Sequence, residues 1–398
     1  MTSASPQTST SVTVRPVQYR DLDELARLTA SDAGTEESGN LVDLGRQIRQ
    51  IRRWYRPFRV LSVFPNPLQH FFGTYVAEQS GQLCGLIQVS PFNRTRSTWR
   101  VDHVMVGEPL APTNPEQPLS MDIGSQLLRY CFQAIWEART WLIEVNVNDK
   151  ATLALYRHNG FQTLAKMTYW EIAPEQLQGL ADREPDLPNL LPISNADASL
   201  LHQLDTVSMP PLVRQVFDRH VIDFKTNLFG AMMGSLKRWM SHTDVVSGYV
   251  FEPQRKAAIG YFRVHLNRDG NKPHSAQLTV HPAYTWLYPE LLAQMARVTK
   301  DYPNQPLHLL SADYQPEREE YLEQIGATRI EHTLMMSRSV WHKLRESKFA
   351  LDGLQLSEVL QGLQPARKPV PGRFSLHPPL ENRNGATKTP PTDRPEDS

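Results

Sequence analysis

The chain has 398 residues, with 42 basic and 42 acidic side chains and a formal net charge of zero. That length is a soft prior for two domains, and the balanced charge excludes a globally basic nucleic-acid binder, so nucleic acid is not an expected partner. The two cysteines, Cys84 and Cys131, stand in apolar surroundings with no CxxC or Cys/His cluster, which excludes a disulfide framework and a structural zinc site and fits a cytoplasmic compartment without a metal cofactor.

No apolar run is long enough to cross a bilayer, so no membrane contact is expected. Residues 1–11 are Ser/Thr-rich without an apolar core and read as disordered, with a short transit segment as the alternative. The stretch 11–17 alternates and predicts a strand. Residues 21–28 predict a helix with an acidic first turn. Leu41, Leu44, Ile48 and Ile51 recur at helical spacing and predict a helix over 41–53. Strands follow over 73–78 and 83–89, joined by the turn residues 79–82. A strand over 100–106, a helix over 123–138 and a strand over 141–147 come next. The helix expected over 151–159 stops at Gly160, a favoured C-terminal residue. Two further strands, near 162–164 and 168–172, close the unit. The order is a run of hairpins followed by a β-α-β crossover, which predicts a mixed sheet with helices on both faces.

Residues 173–189 are polar, contain proline and read as a linker. A similar order then repeats: a strand over 190–193, helices over 197–207 and 212–220, and strands over 246–251, 257–266 and 276–280. A helix over 289–299, a strand over 307–311, a helix over 317–325 and a strand over 329–336 complete it. The repeat lies in element order more than in residue identity. Leu354, Leu356, Val359, Leu360 and Leu363 predict one short helix. From about residue 365 the chain is rich in proline and polar residues and reads as a disordered tail.

The element order and the segment Asp149-Lys-Ala-Thr-Leu-Ala-Leu-Tyr156-Arg-His-Asn-Gly160-Phe161 resemble the GNAT (GCN5-related N-acetyltransferase) superfamily. In that family a helix of the form Asn-x-x-Ala-x-x-Leu-Tyr-x-x-x-Gly-Phe follows a strand. Leu155, Tyr156, Gly160 and Phe161 keep the family spacing, while Asp149 stands for the Asn and Thr152 for the small residue. The resemblance covers residues 12–172 well and 190–340 in outline. It implies an α/β fold class of two GNAT-like mixed-sheet domains, 12–172 and 190–344, with a helix and disordered tail over 345–398.

The resemblance also implies chemistry. Attack of an amine on a thioester expels a thiolate, and a tyrosine hydroxyl can protonate it; in this family that role maps to Tyr156. The alternative is that Tyr156 is a core residue. The family holds the pyrophosphate of acyl-CoA on backbone N–H groups where a helix begins. The matching residues here are Leu119 to Gly124, so Ile123, Gly124 and Ser125 are expected at the pyrophosphate. Leu119 departs from the family's Arg or Gln, and Asp122 from its first glycine. As an N-cap, Asp122 would compete with phosphate for the same N–H groups. The end of the strand over 100–106, at Met105 and Val106, is expected to receive the pantetheine arm. Asp102, with His103 beside it, and Glu144 on the next strand are candidate bases for the amine. Simple alternation sends Asp102 and His103 to opposite faces; a solvent-facing or ion-paired role is the alternative for each.

The stretch 41–59 carries Arg46, Arg49, Arg53 and Arg56 with Trp54, Tyr55 and Phe58 interleaved. It suits an anionic acceptor, RNA contact or a solvated face. The second half keeps no glycine over His281–Pro289 and has Leu322 where Tyr156 would align. It is therefore expected to be degenerate, and to close over the first site, bind the acceptor or mediate a homodimer. The expected activity is acetyl transfer from acetyl-CoA, as donor substrate, to a primary amine of unspecified type. The competing readings are a non-catalytic GNAT-like module that binds through 41–59, and a tandem transferase using another activated donor.

Overall fold

The computed structural model describes residues 12–21, 73–79, 81–106, 119–225 and 242–340. The helix expected over 41–53 and the basic stretch 41–59 lie outside the described residues, as do the helix expected over 21–28 apart from Asp21, the helix within 354–363 and the tail.

Twelve strands form one sheet. The first half supplies β1 (Thr13–Pro16), β2 (Gly73–Gln79), β3 (Gln82–Pro91), β4 (Thr98–Val106), β5 (Thr140–Asn146) and β6 (Gln162–Ile172). The second half supplies β7 (Leu190–Pro192), β8 (Thr243–Glu252), β9 (Ala257–Asn267), β10 (His274–Val280), β11 (Leu307–Ala312) and β12 (Thr328–Ser339). Seven α-helices are described: α1 (Leu119–Ala134), α2 (Lys150–His158), α3 (Pro174–Ala181), α4 (Ala198–Val207), α5 (Pro211–Phe217), α6 (Leu287–Thr299) and α7 (Pro316–Gln324). Among the described residues the element order expected from the sequence is present in both halves, with three differences. The helix expected over 123–138 runs one turn earlier, as α1. The two short strands expected after Gly160 are one continuous strand, β6. The stretch read as a linker holds α3, which buries Leu177 and Ala181 against the second core.

The sheet order is β1-β2-β3-β4-β5-β12-β6-β11-β10-β9-β8-β7. The halves do not lie side by side; they exchange their last strands. β12, from the second half, inserts between β5 and β6 and pairs antiparallel with both. β6, from the first half, pairs antiparallel with β11. Side chains fix this exchange from both directions. Arg338 of β12 donates to the Asn159 carbonyl at the end of α2. Trp170 of β6 donates from Nε1 to Ser311 Oγ (2.8 Å), and Ser311 in turn donates to Glu319 of α7 (2.7 Å).

Two apolar cores lie on one face of the sheet. The first packs α1 and α2 on β3–β5 and β12 through Ile87, Ile123, Leu127, Leu128 and Trp141. The second packs α6 on β9–β11 through Val264, Leu266, Leu287, Leu291 and Leu307. Trp99, Trp141 and Trp170 are among the largest fully buried side chains; each removes about 150–250 Å² from water, so these indoles dominate the centre of the sheet. The other face is covered by α5, whose Val213, Val216 and Phe217 pack on Phe92, Leu142, Leu164 and Met335. Hydrogen bonds tie the C-terminal end of α5 to the β3–β4 turn: Thr98 Oγ1 donates to the Val216 carbonyl (2.8 Å) and Asn93 Nδ2 to the Asp218 carbonyl (2.8 Å).

Local signals explain why α2 and α7 end alike. Gly160 and Gly326 both have φ of 78°, the left-handed region that glycine enters without a Cβ clash. Behind them Phe161 N donates to the Tyr156 carbonyl (3.1 Å) and Ala327 N to the Leu322 carbonyl (2.9 Å), the six-to-one bond of a Schellman stop. The starts differ. Asp149 Oδ1 accepts from Thr152 N at 3.0 Å, an N-cap worth about 1 kcal/mol; Gln315 gives α7 no side-chain cap.

Candidate active site

β4 and β5 run parallel and are bonded only at Thr98–Thr140, Trp99–Trp141 and Arg100–Leu142. Beyond Arg100, β4 continues to Val106 bonded to β3 alone, while β5 continues to Asn146 bonded to β12. The two strands therefore part. Beyond Arg100 the edge of β4 that faces β5 carries backbone donors and acceptors with no strand partner among the described residues, and polar backbone of this kind demands one. Met105 and Val106 lie at the end of this open arm, both half-buried.

The parting strands carry a polar group on the α5 face. A bulge falls at Asp102: Gln88 pairs with His103 while Val89 pairs with Val101. One extra residue reverses the alternation that follows it. Val101 and Val104, three residues apart, both pack in the first core, and His103 shares the opposite face with Gln88. The expectation that Asp102 and His103 must face apart is thus corrected. Arg100 Nε donates to Asp102 Oδ1 at 2.6 Å.

Glu144 of β5 is exposed. Its Oε1 accepts from Tyr169 Oη at 2.7 Å and from Thr333 Oγ1 at 2.6 Å; its Oε2 has no partner among the described residues. Burial, then the neighbouring Glu144 carboxylate, pushes the Tyr169 hydroxyl far above the usual tyrosine pKa, and Arg100 opposes that shift from the β4 side. Asn146 Nδ2 donates to Glu331 at 2.8 Å just beyond. Asp102 and Glu144, the two carboxylates expected from the sequence, thus belong to one polar group. Tyr169, Glu331 and Thr333 were not legible as members: Thr333 is 189 residues from Glu144, on a strand of the half read as degenerate.

On the other face stand α1 and α2. Tyr156 is 5% exposed and sits edge-on to Phe161, ring centroids 5.7 Å apart. Its hydroxyl has no hydrogen-bond partner among the described residues. Burial and the nearby Asp149 carboxylate push its pKa far up, so it stays protonated. The residues expected at the pyrophosphate are placed differently from each other. Ile123 is fully buried in the core and Ser125 nearly so, its Oγ accepting from Asn159 Nδ2 at 2.8 Å. A Cβ on Gly124 would meet Leu155 Cδ2 at 2.8 Å, so this glycine lets α1 pack on α2. Because α1 begins at Leu119, the N–H groups without an intrahelical acceptor are those of its first turn, and the N–H groups of Ile123, Gly124 and Ser125 lie past it. Asp122 is not a cap. It is exposed in that first turn and accepts from Gln126 Nε2 at 3.2 Å.

The second half repeats the parting and then closes it. β10 and β11 are bonded only from His274–Leu307 to Ala276–Leu309. Past that point Arg318 of α7 donates to the Leu310 carbonyl (2.8 Å) and to the Leu278 carbonyl, one on each strand. Arg318 is 4% exposed, and burial pulls its pKa down. Leu322, which stands where α2 has Tyr156, is buried in the second core.

Among the described residues no group of three or more His, Cys, Asp or Glu side chains is placed to hold a metal ion, and no helix is long and apolar enough to cross a membrane. No family model matches the chain, and no curated protein matches it in sequence. Solved structures do resemble it. A tandem GNAT protein from the clavulanic acid biosynthesis pathway, solved without AcCoA, is similar at 14% identity and a TM-score of 0.50, over 84% of this chain and 100% of that one. A GCN5-related N-acetyltransferase from Sphaerobacter thermophilus is 11% identical, with a TM-score of 0.48 over 82% of this chain and 95% of that one. The likeness to the first, together with the paired splayed strands in both halves, defines a tandem GNAT fold.

Proposed function

We propose that the chain is an N-acyltransferase whose first half moves an acetyl group from acetyl-CoA to a primary amine by direct attack. The observation that carries this reading is the placement of acid and base on opposite faces of the parted strands. Glu144 stands on one face, with Oε1 fixed by two hydroxyls and Oε2 open; Tyr156 stands on the other, held protonated.

The thioester arm would lie along the open edge at Met105 and Val106, its pyrophosphate at the first turn of α1. The amine nitrogen attacks the thioester carbon and a C–N bond forms. Glu144 takes the amine proton directly or through water; Asp102, already held by Arg100, is the second base candidate. The C–S bond breaks, the thiolate accepts the Tyr156 proton, and solvent restores that proton afterwards. Amide and free thiol leave. Directed proton transfer of this kind contributes roughly 10²–10⁴-fold.

Titrating acetyl-CoA into the protein tests the donor, with Asp122→Asn alongside. Binding is expected for both, tighter for the variant, because Asp122 places a negative charge in the turn that meets the phosphates. Tyr156→Phe should then lower kcat by about a hundredfold or more with little change in affinity. Unchanged turnover removes Tyr156 as the acid. Binding by neither protein rejects acetyl-CoA as donor and leaves the non-catalytic module, the reading that the Asp122 carboxylate favours.

A further inference from the structure

A cavity of about 1150 Å³ lies over the second parting, on the face away from α6. Leu278, Leu310 and Arg318 border it at the parting, Leu201 and Leu204 of α4 form one wall, and Phe92 of the β3–β4 turn and Phe217 of α5 form another. Tyr261 and Arg263 enter it from β9. They alternate with Phe262 and Val264, which pack in the core under α6. The cavity is therefore on the opposite face from the helix start that would meet a pyrophosphate in this half, so it is not a second donor site.

Among the described residues its charge is one-sided. Arg94, Arg96, Arg219, Lys225, Arg263 and Arg318 border it against Asp205 and Asp223. Both carboxylates are engaged: Asp205 by Arg219 at 2.8 Å, and Asp223 by the backbone N–H groups of Arg94 and His220, each at 2.7 Å. Arg96 lies 3.4 Å from Glu137. Arg263 and Arg318 are different. Neither has a carboxylate within ion-pair distance among the described residues, and the Nε of each is fully buried without an acceptor. Arg318 gives one bond from each terminal nitrogen to the two strand carbonyls and hydrogen-bonds Tyr288 of α6, and its five N–H donors are not exhausted by these. Arg263 stacks on Tyr261 at 5.8 Å. A buried cation without a counter-charge is disfavoured, and an anion in the cavity would supply the negative charge that both guanidinium groups lack.

We propose that this cavity binds a small organic acid. The carboxylate lies against Arg263 and Arg318, and an apolar body fills the space between Phe92, Phe217, Leu201 and Leu204. Guanidinium groups suit the planar carboxylate, and the mixed apolar and aromatic walls suit a body that a free inorganic anion lacks. The site carries no reacting group of its own and stands apart from the acyl-transfer reading of the first half.

Calorimetric titration of the full chain tests it with no acetyl-CoA present, so failure here is distinct from failure of that reading. The probes are phenylacetate, 4-phenylbutyrate and 8-phenyloctanoate, with 4-phenylbutan-1-ol and 4-phenylbutylamine as matched controls and inorganic phosphate as the bare anion. At least one acid should bind one per chain, roughly tenfold or more tighter than the alcohol and the amine. Arg263→Gln should weaken that acid by roughly tenfold or more and leave the alcohol unchanged. Its unfolding midpoint reports that the half-buried site still folds, so the test does not depend on a variant of Arg318. Three acids silent at millimolar concentration, an acid no tighter than its alcohol, an unaltered Arg263→Gln protein, or binding of phosphate alone would each overturn the proposal.

Discussion

In the first half β4 leaves β5 after Arg100 and nothing among the described residues bridges them beyond it; in the second, β10 leaves β11 after Ala276 and Arg318 reaches a carbonyl on each. The two helices that follow have the same length, the same glycine stop and the same six-to-one bond. Their side chains differ throughout, and two positions bear on the parting. Tyr156 has Leu322 as its counterpart, and Thr152, four residues before Tyr156, has Arg318, four residues before Leu322. The same backbone thus leaves an open slot with a protonated hydroxyl in one half and a bridged slot with an apolar residue in the other. The comparison teaches that the same strand parting occurs in both halves and that a helix side chain bridges it in the second.

The largest test of that contrast is Thr152→Arg, which gives the first half the second half's bridge. The protein should still fold, because a half-buried position gains a long side chain with two carbonyl strands to reach. Acyl transfer should fall on the order of a hundredfold, the cost of displacing a reacting group by about an ångström. Steady-state turnover checks this, and full activity would show that the bridge does not control the slot.

A smaller effect separates packing from phosphate binding at Gly124. Gly124→Val forces side-chain atoms onto Leu155 and should cost about 1–3 kcal/mol in urea unfolding, the usual range for overpacking. A neutral result would mean that α1 and α2 are not held at this spacing.

The smallest effect is on acid stability. β10 starts with His274 where β4 starts with Thr98, and only His274 titrates. Burial lowers its pKa from the ordinary value near 6.5. The neutral ring accepts from Asn267 N at Nδ1 and donates from Nε2 to the Pro303 carbonyl, each at 3.1 Å. Because the unfolded chain takes up the proton first, stability is complete above about pH 6.5 and declines as pH falls below it, by at most about 1.4 kcal/mol per unit. Unfolding between pH 7 and 5 should show this slope, and His274→Gln should flatten it.

Much of the fold was legible because its signals are local. The Gly160-Phe161 stop needs only a left-handed residue after a helix, and the strands over 73–89 and 257–280 follow from alternation and turns. The exchange of β6 and β12 was not legible, since either strand satisfies its own hydrophobic pattern in either position. For the same reason Glu144 and Asp102 could be picked as carboxylates on neighbouring strands, while Tyr169 and Thr333, which fix Glu144, could not. The bulge at Asp102 leaves no mark in composition, yet it changes the face of every residue after it.

Arg318 marks the limit most clearly. In the sequence it lies in Pro316-Glu317-Arg318-Glu319-Glu320, the kind of charged first turn that faces water, and the structure buries it. The sequence by itself determined the two repeats of strands and helices, the stops of α2 and α7, and the tyrosine present in one repeat and absent from the other, because these depend on contacts a few residues apart. Only the tertiary structure decided which strands part, which strand fills the neighbouring place, and which charged side chain is drawn between two backbone edges, because each of these is settled by carbonyls and N–H groups from distant segments that must find partners once water is excluded.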